Sequence, residues 1–322
     1  MRVLLIAIIL CASPLMSFAQ NQKAITQLYS NYLKGLAYVE RKDYPAGLKA
    51  LEKARAQDPE SIHIRLKIAT VLINMRRFDE AENILLEIKE IDPNNLDVSL
   101  VLIFVYSYAQ KDKELEEEYE FFLEKAHEAK PKDIGISEYL AQFYFYKKKP
   151  QQAMEVYKKI IEINPKHVTA YFWLGYLYED AGKHDEAVDI WKKGLKIDDS
   201  YAPLLNSLGY VYAQEGVNLD LAEEMILKAI DKEPDNGAYM DSLGWVYYKK
   251  GDFNKAREYL EKSITYIKDP EIYEHLGDLY IAIGEKEKGF DCYNQGLENF
   301  PDYKKLQEKI ENYEKQGKSV KK

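Results

Sequence analysis

The chain has 322 residues, 31% of them charged and 46% hydrophobic, with 54 acidic side chains against 45 basic ones and a formal charge of −9. That balance describes an ordered acidic protein and excludes a disordered chain or a polytopic membrane protein; nucleic acid is also excluded as a partner, because a polyanion needs a strongly positive face. Tyrosine is the outlier, at 27 residues against 11 Phe and 3 Trp.

At the start of the chain, Met1-Arg2 precedes the apolar run Val3 to Leu10, and Pro14, Ser17 and Ala19 follow. A positive start, an apolar core too short to span a bilayer, and small residues at the −3 and −1 positions predict a secretory signal over 1–19, cleaved after Ala19. The mature chain would begin at Gln20. Lipidation at Cys11 or retention as an anchor are the alternatives, and either would supply the only membrane attachment. Cleavage would leave Cys292 as the sole thiol, which excludes an internal disulfide or a cysteine-based zinc site. Cys292 itself is expected to be a small, half-buried hydrophobe.

Beyond the signal, Pro59, Pro93, Pro131, Pro165, Pro234 and Pro301 are separated by one or two periods of about 34 residues. Placing each proline at position 32 defines eight units that start at Leu28, Ile62, Leu96, Ile134, Val168, Ala202, Gly237 and Pro270. Position 8 then reads Gly35, Ala69, Ile103, Ala141, Gly175, Gly209, Gly244, Gly277, and position 20 reads Gly47, Ala81, Tyr119, Ala153, Ala187, Ala222, Ala256, Gly289. Small residues in both columns let two antiparallel helices approach closely. Position 11 is Tyr in seven units and Leu72 in the other, large enough to fill a seam between helices. Turn signals such as Ala181-Gly182-Lys183 and Lys250-Gly251-Asp252 separate the two helices of a unit.

These columns, and stretches such as Tyr171 to Tyr178 and Ser242 to Tyr248, resemble the tetratricopeptide repeat family over about residues 28–301. The resemblance implies an all-α, right-handed superhelical solenoid of about eight helix-turn-helix units, occupying 20–301. Residues 302–322 are expected to form a capping helix and basic tail, with Tyr303, Leu306, Ile310 and Tyr313 as the stripe that covers the last apolar face. The third unit departs from the pattern: it has four extra residues and bulky Ile103 and Tyr119 at both close-contact positions. It is expected to bend or divide the array, separating units one and two from units four to eight.

No sequence motif carries catalysis. The five histidines fall in different units, His127-Glu128 is followed by Pro131 where a second metal ligand would be needed, and no phosphate-binding loop, nucleophile elbow or EF-hand loop occurs. Neither enzyme activity, metal nor cofactor is expected. The family resemblance implies instead that function lies on a concave face formed by positions 2, 5, 9, 12 and 13 of each first helix. Carried onto this chain, those positions give Phe104, then Gln142 and Tyr146, then Phe172 and Tyr176 with Glu179, then Asn206, Tyr210 and Gln214, then Asp241, Trp245 and Tyr248. Such an aromatic row suits an extended peptide or a partner helix.

Position 5 carries neither Lys nor Arg in any unit, so a clamp for an acidic C-terminus is excluded; Asp241, Glu271, Glu274 and Asp278 make one end acidic and favour a neutral or basic protein segment. The reading is an exported interaction scaffold, periplasmic, outer-membrane-associated or secreted, serving cell-envelope assembly. The alternative is a module whose aromatic row stacks on peptidoglycan or an exported polysaccharide.

Overall fold

The computed structural model describes residues 22–319, and the expected signal over 1–19 lies outside them. Every regular element among the described residues is an α-helix. After α1 (22–40) come α2 (Tyr44–Arg55), α3 (Ile62–Asn74), α4 (Phe78–Ile91), α5 (Leu96–Ala109), α6 (Asp112–Ala129), α7 (Ile134–Tyr146) and α8 (Pro150–Ile163). There follow α9 (Val168–Asp180), α10 (His184–Leu195), α11 (Ala202–Glu215), α12 (Leu219–Lys232), α13 (Gly237–Lys250), α14 (Phe253–Tyr266), α15 (Pro270–Ala282), α16 (Lys286–Asn299) and α17 (Lys304–Ser319). Odd-numbered helices up to α15 are the first helices of repeats one to eight, and even-numbered helices the second.

Local chemistry sets the helix ends. Ser61, Asn95, Asn236 and Asp252 cap their helices by accepting from backbone N–H groups in the first turn. Within each repeat the chain then turns through one residue in the left-handed region: Lys42, Arg76, Gln110 and Lys148 in repeats one to four, and Gly182, Gly216, Gly251 and Gly284 in repeats five to eight. Repeat six has a second such residue, Asn218.

The chain divides into two compact bodies, one ending at Phe143 and one starting at Tyr144. In the N-terminal body Leu51, Ile68, Leu85, Ile88, Leu102 and Val105 are fully buried between successive helices. Polar groups at its rim are paired: Arg55 and Arg65 both donate to Glu87 at 3.0 Å, and Lys89 reaches Glu118 at 2.7 Å while its ammonium lies 3.8 Å from the Phe121 ring centroid.

A division near repeat three was expected, but the boundary falls inside α7, one repeat later. Tyr119, bulky at a close-contact position, meets the Phe143 ring edge-on at 5.5 Å, and Ser137 Oγ lies 3.0 Å from His127 Nδ1, so α7 up to Phe143 is tied to α6.

The C-terminal body has a continuous core through Leu205, Leu208, Ile226, Leu243, Val246, Leu260 and Leu276. Position-11 tyrosines fill its seams and carry their hydroxyls to the edge, where Tyr247 donates to Glu223 at 2.8 Å and Tyr280 to Glu261 at 2.6 Å. At its end, α17 inserts a fully buried Leu306 against Tyr273 and Tyr293, with Tyr303 and Ile310 beside it and Tyr313 stacked on Phe290 at 4.7 Å. This seals the apolar face that the last repeat would otherwise expose.

Candidate functional site

First helices of repeats five to eight line a cavity of about 540 Å³ in the C-terminal body. Helix α9 contributes Tyr176, Glu179 and Asp180, α11 contributes Asn206, Tyr210 and Gln214, α13 contributes Asp241, and α15 contributes Glu271. Trp191, Asp269 and Lys305 close its edges. Because residues three and four apart share a helix face, Asn206, Tyr210 and Gln214 fall on one side of α11, as do Tyr176, Glu179 and Asp180 on α9.

Six of the sequence-predicted groove residues therefore meet here: Tyr176, Glu179, Asn206, Tyr210, Gln214 and Asp241. The others do not. Phe104 is 48% exposed in the N-terminal body and pairs with Tyr108 at 5.8 Å, and Gln142 is exposed on the same body. Tyr146 is 79% exposed, away from the cavity lining, and Phe172 is half-buried against Trp173 at 5.1 Å. Trp245 departs most from the expected exposed row. It is only 9% exposed, stacked with Tyr248 at 4.6 Å and with His275 at 4.0 Å, and so acts as part of the wall behind the cavity.

That wall contains a buried ionisable pair. His275 Nδ1 donates to the Asp241 carboxylate, 3.0 Å from both oxygens, and both residues are nearly inaccessible, at 4% and 5% exposure. Burial disfavours the imidazolium, but the Asp241 carboxylate and hydrogen bond, helped by Glu271 and Glu274, outweigh it and hold the histidine pKa above its ordinary value. Inspection of the sequence alone left this pair unseen, although the signal existed: Asp241 and His275 are separated by one period, at neighbouring positions of successive repeats.

Electrostatically the cavity is one-sided. Glu179, Asp180, Asp241, Asp269 and Glu271 face it, against the single ammonium of Lys305. Glu179 Oε1 takes the His184 Nδ1 at 2.7 Å, but its Oε2 is buried and accepts no hydrogen bond from the protein, and neither does the buried Asn206 Oδ1. Tyr210 accepts from Gln214 Nε2 at 2.9 Å, and burial followed by the nearby Glu271 charge raises its phenol pKa. Tyr176 is shifted the same way, by burial and then Asp180, Asp269 and Glu271.

The acidic end expected at Glu271, Glu274 and Asp278 is only partly open. Lys309 pairs with Asp278 and lies 3.4 Å from Glu274, Tyr303 donates to Glu274 at 3.2 Å, and Tyr293 donates to Asp278. Lys305 sits 3.8 Å from Glu271 and 3.9 Å from Glu274. Helix α17 therefore neutralises the last turns of the acidic row and leaves the earlier part exposed. Among the described residues no group of His, Cys, Asp or Glu is arranged to hold a metal, and no helix is long and apolar enough to cross a membrane.

Comparison with known proteins bears on what such an array is. Tetratricopeptide repeat models match residues 38–102, 238–269 and 270–303, and a model described as anaphase-promoting complex, cyclosome, subunit 3 matches 112–194. TPR repeat-containing protein PA4667 of Pseudomonas aeruginosa is 40% identical over 57 residues, 18% of this chain and 10% of that protein. Anaphase-promoting complex subunit CDC16 of Saccharomyces cerevisiae is 32% identical over 89 residues, 25% of this chain and 11% of that protein. The chain thus spans only about a tenth of the length of these relatives. Among solved structures, the APC/C hetero-tetramer Cut9-Hcn1 aligns over 84% of this chain and 52% of the matched chain, at 15% identity and a TM-score of 0.55. Repeat models towards both ends of the chain and the helical-repeat fold agree: the chain carries tetratricopeptide repeats.

Proposed function

We infer that this chain works through protein–protein interaction, as tetratricopeptide repeat proteins generally do, and not through catalysis. We propose that this chain is an interaction scaffold that holds an extended peptide or partner helix against the first helices of repeats five to eight. The supporting observation is the cavity itself, with Asn206 Oδ1 and Glu179 Oε2 buried in it and unsatisfied by the protein. A buried acceptor without a donor costs about 1–3 kcal/mol. Backbone amides of a bound segment would remove that cost, while Tyr176 and Tyr210 supply rigid contact area. The signal-like segment over 1–19 supports export, and with it a role in the cell envelope.

A photo-reactive amino acid introduced at Tyr176 or Gln214 in the native host is expected to cross-link one protein partner, and the same group at Leu227 on α12 is not. Equal labelling from all three positions would reject the site. N-terminal mass spectrometry of the protein from the periplasmic fraction is expected to find Gln20 first. A chain retained in the cytoplasm with Met1 intact would reject export.

A further inference from the structure

The charge of the cavity specifies its occupant more narrowly. We infer that the bound protein segment presents a lysine or arginine side chain into the space between Glu179 on α9 and Glu271 on α15; this inference rests on the scaffold reading above.

Charge complementarity carries the inference. Five carboxylates face the cavity; His275 meets Asp241 and His184 meets one oxygen of Glu179 from outside the lining, and the one ammonium among the lining residues, on Lys305, is half exposed and stands off Glu271 at 3.8 Å. Glu179 keeps one buried oxygen unpartnered, and the lining residue Asn206 has a second buried acceptor without a donor. Tyr176 and Tyr210 add aromatic faces, which attract a cation.

The chain also demonstrates what the row accepts. One helical turn further along α15, Glu274 and Asp278 are met by the lysine ammonium groups of α17. A basic residue from a partner would extend that series by one place, onto Glu271, which of the α17 lysines only Lys305 approaches, and across to Glu179 on α9. Lys305, at the junction, would then compete with the incoming cation. An acidic segment is disfavoured on the same grounds, and a neutral one could satisfy the Glu179 oxygen with an amide but would leave the surplus of negative charge around it unanswered.

The test begins with a phage-displayed random dodecapeptide library selected against the full chain. Binding of the selected peptides, as fluorescein conjugates, is then measured by fluorescence anisotropy. Selected peptides are expected to share one Lys or Arg, and its replacement by Gln in the peptide should weaken binding about tenfold or more. Glu179→Gln and Glu271→Gln should weaken it similarly, whereas Lys305→Gln should tighten it severalfold. Added salt should weaken binding in the wild type.

Should Glu179→Gln disturb the fold, seen as a lowered urea midpoint, the peptide-side substitution and Lys305→Gln still decide the matter. Peptides without a shared basic residue, lost on Tyr176→Ala but unchanged by the carboxylate variants, would overturn the inference and leave the groove reading intact. Peptides indifferent to Tyr176→Ala and to both carboxylate variants, or a library that yields no binder, would overturn both. A chain that self-associates in sedimentation and is dissociated by the selected peptide would place the basic residue on a second copy, against a separate partner.

Discussion

Replacing Gly244 by alanine should weaken the C-terminal body although alanine is the better helix former. A Cβ at this position would lie 2.6 Å from Leu260 Cγ, 2.8 Å from its Cδ2 and 3.2 Å from its backbone nitrogen. Leu260 is fully buried, and the clash includes its branch point and its main chain, so rotating a side-chain tip cannot relieve it. Helices α13 and α14 would have to separate by roughly 1 Å to restore ordinary contact distances. Overpacking of this kind costs about 1–3 kcal/mol, and the gain in helix propensity offsets about 1 kcal/mol of it.

The expected net loss is therefore centred on about 1 kcal/mol and at most about 2 kcal/mol, or a urea midpoint lower by about 0.4 M at a slope of about 2–3 kcal/mol/M. All three tryptophans, Trp173, Trp191 and Trp245, lie in the C-terminal body, so their fluorescence follows its unfolding without averaging over the whole chain. The comparison is Gly135→Ala, followed by circular dichroism, at an exposed position of α7 in the N-terminal body, where the nearest atom to a new Cβ is Asp133 Oδ1 at 3.4 Å. That substitution should change stability by only a few tenths of a kcal/mol. A Gly244→Ala midpoint equal to or above wild type would refute the idea that position 8 is small because of helix approach.

Three further outcomes follow from other features. Arg76 holds the left-handed turn of repeat two at φ 58° with no glycine to relax it, so Arg76→Gly should raise the urea midpoint of the N-terminal body by the equivalent of about 0.5–1 kcal/mol, read by circular dichroism. His275 has a folded-state pKa above its unfolded value, so its contribution is complete at pH below about 6.5 and is lost as pH rises through the folded value; the stability gap between wild type and Asp241→Asn should accordingly shrink from pH 6 to pH 9, and a constant gap would show that the pair is not ionic. Burial, and then the charge of Asp291, push the Cys292 thiol pKa to about 11, so thiol reagents at pH 8 should label it only slowly until urea unfolds the last repeat.

The repeat framework was readable because it is a property of spacing. Glycine or alanine at positions 8 and 20 follows from how closely two helices must approach, and the same residues are buried at those approaches, as Gly244 against Leu260 illustrates. The all-α repeat fold and the capping helix follow from the same periodicity. Less was legible where a side chain has to choose between two neighbours. Trp245 and Tyr210 occupy equivalent positions of adjacent first helices, yet only Tyr210 lines the cavity. Trp245 is taken up by stacking on His275, a residue specific to repeat eight. The acidic end was read as open because nothing in the repeat pattern tells how α17 lies; Lys305 and Lys309 meet α15 only through the packing of Leu306. Tyr119 carries a similar lesson, since its size was apparent in the sequence but its contact with Phe143 required α7 in place.

The seal made by α17 sets a limit on how this array can change in length. Lys309 finds its two carboxylates at positions 5 and 9 of repeat eight, Glu274 and Asp278, and no other repeat has an acidic residue at both places. The terminal helix is therefore keyed to one repeat rather than to the generic end of an array. A repeat duplicated within the middle of the C-terminal body leaves lock and key together, whereas a repeat inserted between α16 and α17 parts them and presents Lys309 with a neutral surface. Lengthening by internal duplication is thus structurally permitted, and lengthening at the end requires the two acids to be recreated.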